Sequence, residues 1–184
     1  YVTGGQNKFD PEGKDPRQPG AIGTYAAGGI VKHLPALTAI GASTVNSYRR
    51  LLDQGYWAPV YNNWGYQNRT CALRVSAPGR FEYRAVDSMV NPYLLNSALL
   101  AVMDEGISKK LDPGPLEQRN IYELELAGKK VVKLPTNLGM ALDAIEADPL
   151  VRSALPGEMW DVFIDYKRDE WDKFLATVNL GGGA

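Results

Sequence analysis

Cysteine and histidine are almost missing from this 184-residue chain: Cys71 and His33 each stand alone. One thiol cannot close an internal disulfide, and with one imidazole it cannot complete a zinc site, so a reducing, cytoplasmic setting is expected. Net charge is missing too. Twenty Lys and Arg against 21 Asp and Glu leave −1, and no chain-wide field draws the protein to nucleic acid or to an anionic membrane. No apolar run approaches the ~20 residues of a spanning helix, and the N-terminus lacks the basic and apolar stretches of a signal peptide. An apolar share of 45% and a charged share of 22% exclude disorder, collagen and coiled coil. Such a chain can bury a real core as one domain or a large piece of one. Tyr1-Val2-Thr3-Gly4-Gly5 has no initiator Met and opens as if within a strand or turn, the start expected of a fragment.

Residues 1–19 are rich in Gly, Pro, Asp and Lys and are expected to form a loop or short hairpin. From Ile22 to Ile40, apolar residues recur at three and four, the spacing of a helix that Pro35 should bend or interrupt. Residues 46–67 read as loop followed by strand. Strand-like runs cover Val60–Trp64, Cys71–Val75 and Arg80–Val86, and Pro78-Gly79 between the last two predicts an antiparallel hairpin. Asn91-Pro92 starts a helix to about Leu111 with a broad, well-buried stripe. Further helices are predicted over Leu138–Ala147, Leu150–Leu155 and Glu158–Ala176, with Trp160, Phe163, Trp171 and Phe174 as core. Residues 177–184 read as a foreign or disordered tail. No internal repeat is present.

The chemically informative stretch runs from Arg49 to Arg84. It holds six arginines, no lysine, and the two acids Asp53 and Glu82, a surplus of four positive charges. A guanidinium presents a planar fork that matches carboxylate and phosphate oxygens, whereas lysine is a mobile point charge. In Arg80-Phe81-Glu82-Tyr83-Arg84, strand alternation puts Arg80, Glu82 and Arg84 on one face and Phe81 and Tyr83 on the core side. An acid flanked by arginines is either a surface ion-pair ladder or a phosphoryl-transfer site, with a hard carboxylate for Mg²⁺ or Mn²⁺ and cations around it for phosphate. The hairpin can set Arg74 beside Arg80 or Arg84. Arg69 has the opposite parity and joins them only if Asn68-Arg69 precedes the regular strand.

Seven collinear motifs then resemble the glutamine synthetase family. They are Lys32-His33-Leu34-Pro35-Ala36-Leu37-Thr38-Ala39, Asn46-Ser47-Tyr48-Arg49-Arg50-Leu51, Ala58-Pro59-Val60, Asn68-Arg69-Thr70, Arg80-Phe81-Glu82-Tyr83-Arg84, Asn91-Pro92-Tyr93-Leu94 and Asn120-Ile121-Tyr122-Glu123-Leu124. The resemblance implies the C-terminal part of that family's catalytic domain over residues 20–176, an α+β fold with antiparallel strands carrying site residues, backed by helices. It implies an ATP-dependent ligase that phosphorylates the side-chain carboxylate of glutamate and lets ammonia or an amine displace the phosphate, with Mg²⁺ or Mn²⁺, in a homo-oligomeric ring. By motif position, Arg50 and Arg84 are similar to arginines that hold glutamate, Arg69 to the one on the transferring phosphoryl group, Arg74 and Arg80 to ATP-phosphate ligands, and Glu82 to a metal ligand.

The chain also departs from the family pattern. Before Ala58-Pro59 the family places a glutamate that takes a proton from ammonium; here Trp57 stands there. An indole is no base, but it can form an apolar wall or a cation–π contact with an alkylammonium, or simply pack in a loop. Trp at this place is similar to the γ-glutamylmethylamide synthetase-like branch, so methylamine or a larger amine enters as a substrate. The family's other metal-binding carboxylates and its His-x-His strand are absent from these residues, so this piece alone is expected to be inactive. Tyr122 occupies a position that some bacterial members modify with a nucleotide; a structural tyrosine is expected here. His33 is read as a satisfied helix histidine and Cys71 as a small core residue. The rival readings are a non-catalytic assembly module and a nucleic-acid binder using Trp64, Tyr66 and Phe81 with the arginines; Phe81 on the core face speaks against the second.

Overall fold

The computed structural model describes residues 2–3, 5–13, 15–52, 58–128, 130 and 132–181. Its N-terminal hairpin pairs β1 (Val2–Thr3) with β2 (Gln6–Asn7). The three-stranded sheet has the order β3 (Tyr61–Tyr66), β4 (Cys71–Ala77), β5 (Arg80–Tyr83). β4 and β5 are antiparallel as expected, with Gly79 at φ +66° in their turn. β3 lies parallel to β4, and the chain returns through Gln67–Thr70, with Gln67 at φ +50°. Residues 132–134 run along the outer edge of β3, where Val132 O accepts from Asn62 N and Leu134 N donates to Val60 O, so that edge is covered.

Helix α1 (Ala21–Gly41) is the centre of the core, burying Ile30, Leu34, Leu37 and Ile40. Pro35 does not interrupt it. Proline in a helix interior costs about 3 kcal/mol, and α1 is buried along most of its length against α3 (Pro92–Lys109), α5 (Leu138–Glu146) and the sheet, so packing outweighs that cost. Asn91 caps α3, its side chain accepting from Tyr93 N and Leu94 N, with Pro92 at the first turn. The α3 stripe is narrower than expected: Leu95, Ala98, Val102 and Gly106 are buried, while Leu100 is 65% exposed. Leu94 and Leu99 pack partly against the core, and Leu100 faces outward.

Short helices α2 (Ser47–Leu52) and α4 (Ile121–Leu126) occupy segments expected to be loop. Reciprocal bonds between Thr44 and Ser47 start α2, and Asn120 caps α4 through Tyr122 N. Helix α6 (Pro149–Ser153) is capped by Asp148, and α7 (Glu158–Gly181) continues past the expected end near Ala176. Trp160 is buried in the core and Trp171 packs partly against it, but Phe174 is 40% exposed.

His33 is the satisfied helix histidine. Its Nδ1 lies 2.5 Å from Asp148 and its Nε2 2.7 Å from Glu105, so one ring ties α1 to α3 and to the start of α6. Bonds from Lys109, Lys32 and His33 hold the Glu105 carboxyl down to about 2. A depressed carboxyl adds stability above its ordinary pKa of 4.5 and loses it as pH falls toward about 2. Glu105→Gln is therefore expected to flatten the fall of Tm between those two pH values, measured by thermal melts against the unchanged protein.

Candidate active site

Strand alternation and the β4–β5 register set Arg74 directly opposite Glu82. Arg74 Nη1 lies 2.9 Å from Glu82 Oε2, and Arg84 Nη1 lies 3.0 Å from Oε1, so both carboxylate oxygens are engaged. The two guanidinium-bearing side chains are each 15% exposed, and Glu82 is 38% exposed. Arg84 follows β5, its N donating to Ala72 O at 2.8 Å.

From the end of α2, Arg50 Nη2 donates to Val86 O at 2.9 Å and to Arg84 O at 3.3 Å. Tyr48, 2% exposed, anchors that short helix, and burial pushes its phenol far above the ordinary range. Two guanidinium groups therefore share one carboxylate, and Arg50 joins them through the Arg84 carbonyl. Among the described residues Arg50 bonds carbonyls through one nitrogen, Nη2.

Arg80 does not join this cluster. The register shifts between Val75 and Ala77, Arg80 then faces Ala77, and its Nε donates to Ser76 Oγ at 3.1 Å. Arg69 does meet its condition: β4 begins at Cys71, so Asn68-Arg69 precedes the regular strand. It is exposed at an open pocket of about 540 Å³ with Tyr66, Gln67, Asn68, Gln118, Arg119 and Asn120. Gln67 links pocket and cluster, its Oε1 accepting from Arg74 Nη2 at 3.4 Å while its Nε2 donates to Ser76 O at 2.6 Å. The sequence reading assigned no role to Gln67, Asn68 or Ser76; the Asn-x-Thr spacing of an Asx turn was the available signal for Asn68. Trp57 and Asp53 lie outside the described residues.

The opposite face is core, as expected. Phe81 packs on Phe9 with ring centroids 5.3 Å apart, and burial raises the Tyr83 phenol. Cys71 is fully buried, which pushes its thiol up to about 12 and leaves it unreactive at neutral pH. Tyr122 is 8% exposed with its hydroxyl on Ala58 O, the structural tyrosine expected.

Among the described residues no three His, Cys, Asp or Glu side chains gather in a way that could hold a metal ion. Glu82 is a single carboxylate already shared by two arginines, so these residues do not by themselves fit Mg²⁺ or Mn²⁺. Among the described residues, no helix is long and apolar enough to cross a membrane.

Comparison with known proteins bears directly on this cluster. Residues 2–180 match the family model described as glutamine synthetase, catalytic domain. A glutamine synthetase of Pyrococcus abyssi is 46% identical over 155 residues, covering 80% of this chain and 35% of the relative. One of Methanocaldococcus jannaschii is 39% identical over 186 residues, covering 97% and 40%. Among solved structures, a GmaS/ADP complex superposes with a TM-score of 0.86 at 32% identity, covering 96% of this chain and 41% of that one. An apo GmaS without ligand gives 0.83 at 33%. The GmaS likeness supports the branch to which Trp57 pointed. The chain thus spans between a third and a little over two fifths of these proteins' length. It belongs to the glutamine synthetase family and forms part of that family's catalytic domain.

Proposed function

We propose that the full-length protein is an ATP-dependent ligase that joins the side-chain carboxylate of glutamate to ammonia or a small amine. The observation that carries this reading is the Arg74–Glu82–Arg84 cluster with Arg50 on the Arg84 carbonyl. In the proposed reaction the γ-phosphoryl group of ATP passes to a glutamate carboxylate oxygen, leaving ADP. The amine nitrogen then attacks the acyl carbon, phosphate departs, and the nitrogen loses a proton.

Arg50 and Arg84 bind the carboxylates of glutamate, their planar forks fixing its orientation. Arg74 and Arg80 take ATP phosphates, and Arg69, free to reach over its pocket, stabilises the transferring phosphoryl group. Glu82 orients Arg74 and Arg84 and is the carboxylate the described cluster would offer toward Mg²⁺ or Mn²⁺, which would neutralise phosphate charge; further ligands would come from outside the cluster. Trp57 forms an apolar wall for the amine. The likeness to a GmaS found with ADP supports a nucleotide in this region. Assembly into a homo-oligomeric ring belongs to the same proposal.

The test is phosphate release by the full-length protein with ATP and glutamate, comparing ammonia, methylamine and a polyamine, alongside the Trp57→Glu variant. Methylamine is expected to be the better acceptor, and Trp57→Glu to shift preference toward ammonia. No amine-dependent release, together with no rise in Tm on adding ATP and glutamate, would instead mark a non-catalytic assembly module.

A further inference from the structure

The segment from Glu117 to Leu126 touches both sides of the candidate site without contributing an arginine to the cluster. At one end, Asn68 uses its whole amide. Its Nδ2 donates to Glu117 O at 3.0 Å and to Arg119 O at 2.9 Å, while its Oδ1 accepts from Thr70 N at 3.0 Å and from Thr70 Oγ1 at 2.7 Å. Thr70, fully buried, accepts in turn from Ile121 N at 3.4 Å. The turn that presents Arg69 is therefore fixed to the start of α4 on both flanks. At the other end, the Tyr122 hydroxyl donates to Ala58 O, and its ring meets that of Tyr61 edge-on at 5.5 Å. Burial raises the Tyr122 phenol, so it remains a donor at neutral pH.

Ala58 directly follows Trp57 in the sequence. We propose that residues 117–126 act as a brace that sets the spacing between the Arg69 turn and the Ala58-Pro59 stretch, with Asn68 and Tyr122 as its positioning residues. One element then registers the phosphoryl side of the site against the amine side. The catalytic part of this inference rests on the ligase reading above; the mechanical part does not.

Both parts are tested in the full-length protein. Val60 N donates to Ala58 O at 3.0 Å, so its amide reports on the far end of the brace. Tyr122→Phe keeps the buried ring and removes the hydroxyl; hydrogen exchange in the peptide holding Val60 should quicken about fivefold, the scale of one neutral hydrogen bond. The KM for the amine should rise by a similar factor, with the KM for ATP within about twofold. Asn68→Asp sets an oxygen against the carbonyls of Glu117 and Arg119, and it too should quicken Val60 exchange although Asn68 makes no bond to Ala58. Unchanged Val60 exchange in Asn68→Asp, or strictly additive effects in the double variant, would overturn the brace. Quickened exchange in both variants of a protein that forms no amide would uphold the brace and discard the ligase reading.

Discussion

Glu82→Gln is expected to abolish most catalysis while barely changing stability. The side chain keeps its length, but one amide oxygen now faces two guanidinium groups that each had a carboxylate oxygen at 2.9 to 3.0 Å. Arg74 and Arg84 then repel one another and leave the geometry in which their forks meet a substrate. Loss of one preorganised electrostatic element of this type costs on the order of a hundredfold in rate. The stability effect is small because Glu82 is 38% exposed and water screens the pairs. Partly exposed ion pairs are worth about 1 kcal/mol or less each, roughly 2–4 °C in Tm for 150–250 residues and less for the longer full-length protein. Phosphate release and a thermal melt on the same full-length preparation separate the two effects. Activity within threefold of the unchanged protein would remove Glu82 from the site, and a fall in Tm beyond about 10 °C would make it a structural residue.

Much of this site was legible because strand alternation is a hard geometric rule. The parity of Arg80-Phe81-Glu82-Tyr83-Arg84, with a Pro-Gly turn before it, was enough to place Glu82 and Arg84 together and Phe81 in the core. Arg80 keeps the parity of Glu82 in β5, but the extra residue on β4 next to the turn seats its Nε on Ser76 Oγ, and such a shift in register is written in no single residue. Arg50 was assigned by resemblance, but its partners are the carbonyls of Arg84 and Val86, and backbone acceptors leave no mark in a sequence.

The helices show the same division between local and long-range causes. Asn91-Pro92 announced α3, since a cap acts within its own turn, and Asn137 caps α5 in the same way through Met140 N. The six-residue helices α2 and α4 carried too few periodic positions to be read, and each depends on distant packing: Tyr48 in the core for one, Thr70 and Ala58 for the other. Pro35 misled because a local cost of about 3 kcal/mol was set against burial that only the assembled fold reveals.

Gly29→Ala is expected to be among the most damaging single changes in the chain, against the intrinsic preference of the helix. In an exposed helix this substitution would stabilise by about 1 kcal/mol. Here an added Cβ would lie 1.9 Å from Val102 O and 3.0 Å from the Cα of Gly106, both backbone atoms of α3. On the other side of the seam, a Cβ on Gly106 would lie 2.2 Å from Tyr25 O and 2.7 Å from Gly29 N. No rotamer relieves such contacts, so the two helices must separate along their length. Overpacking of this kind costs about 3 kcal/mol or more, which here means roughly 6–12 °C in Tm. The movement would reach the site, because Gly41 O at the end of α1 accepts from Asp87 N, three residues beyond the cluster's Arg84. Gly13→Ala, with nothing within 4 Å of its added carbon, provides the control and should shift Tm by less than about 1 °C. A Gly29→Ala protein that melts within about 2 °C of the parent would show that α1 and α3 can part without cost, and the close glycine seam would then not be what holds the core to the arginine cluster.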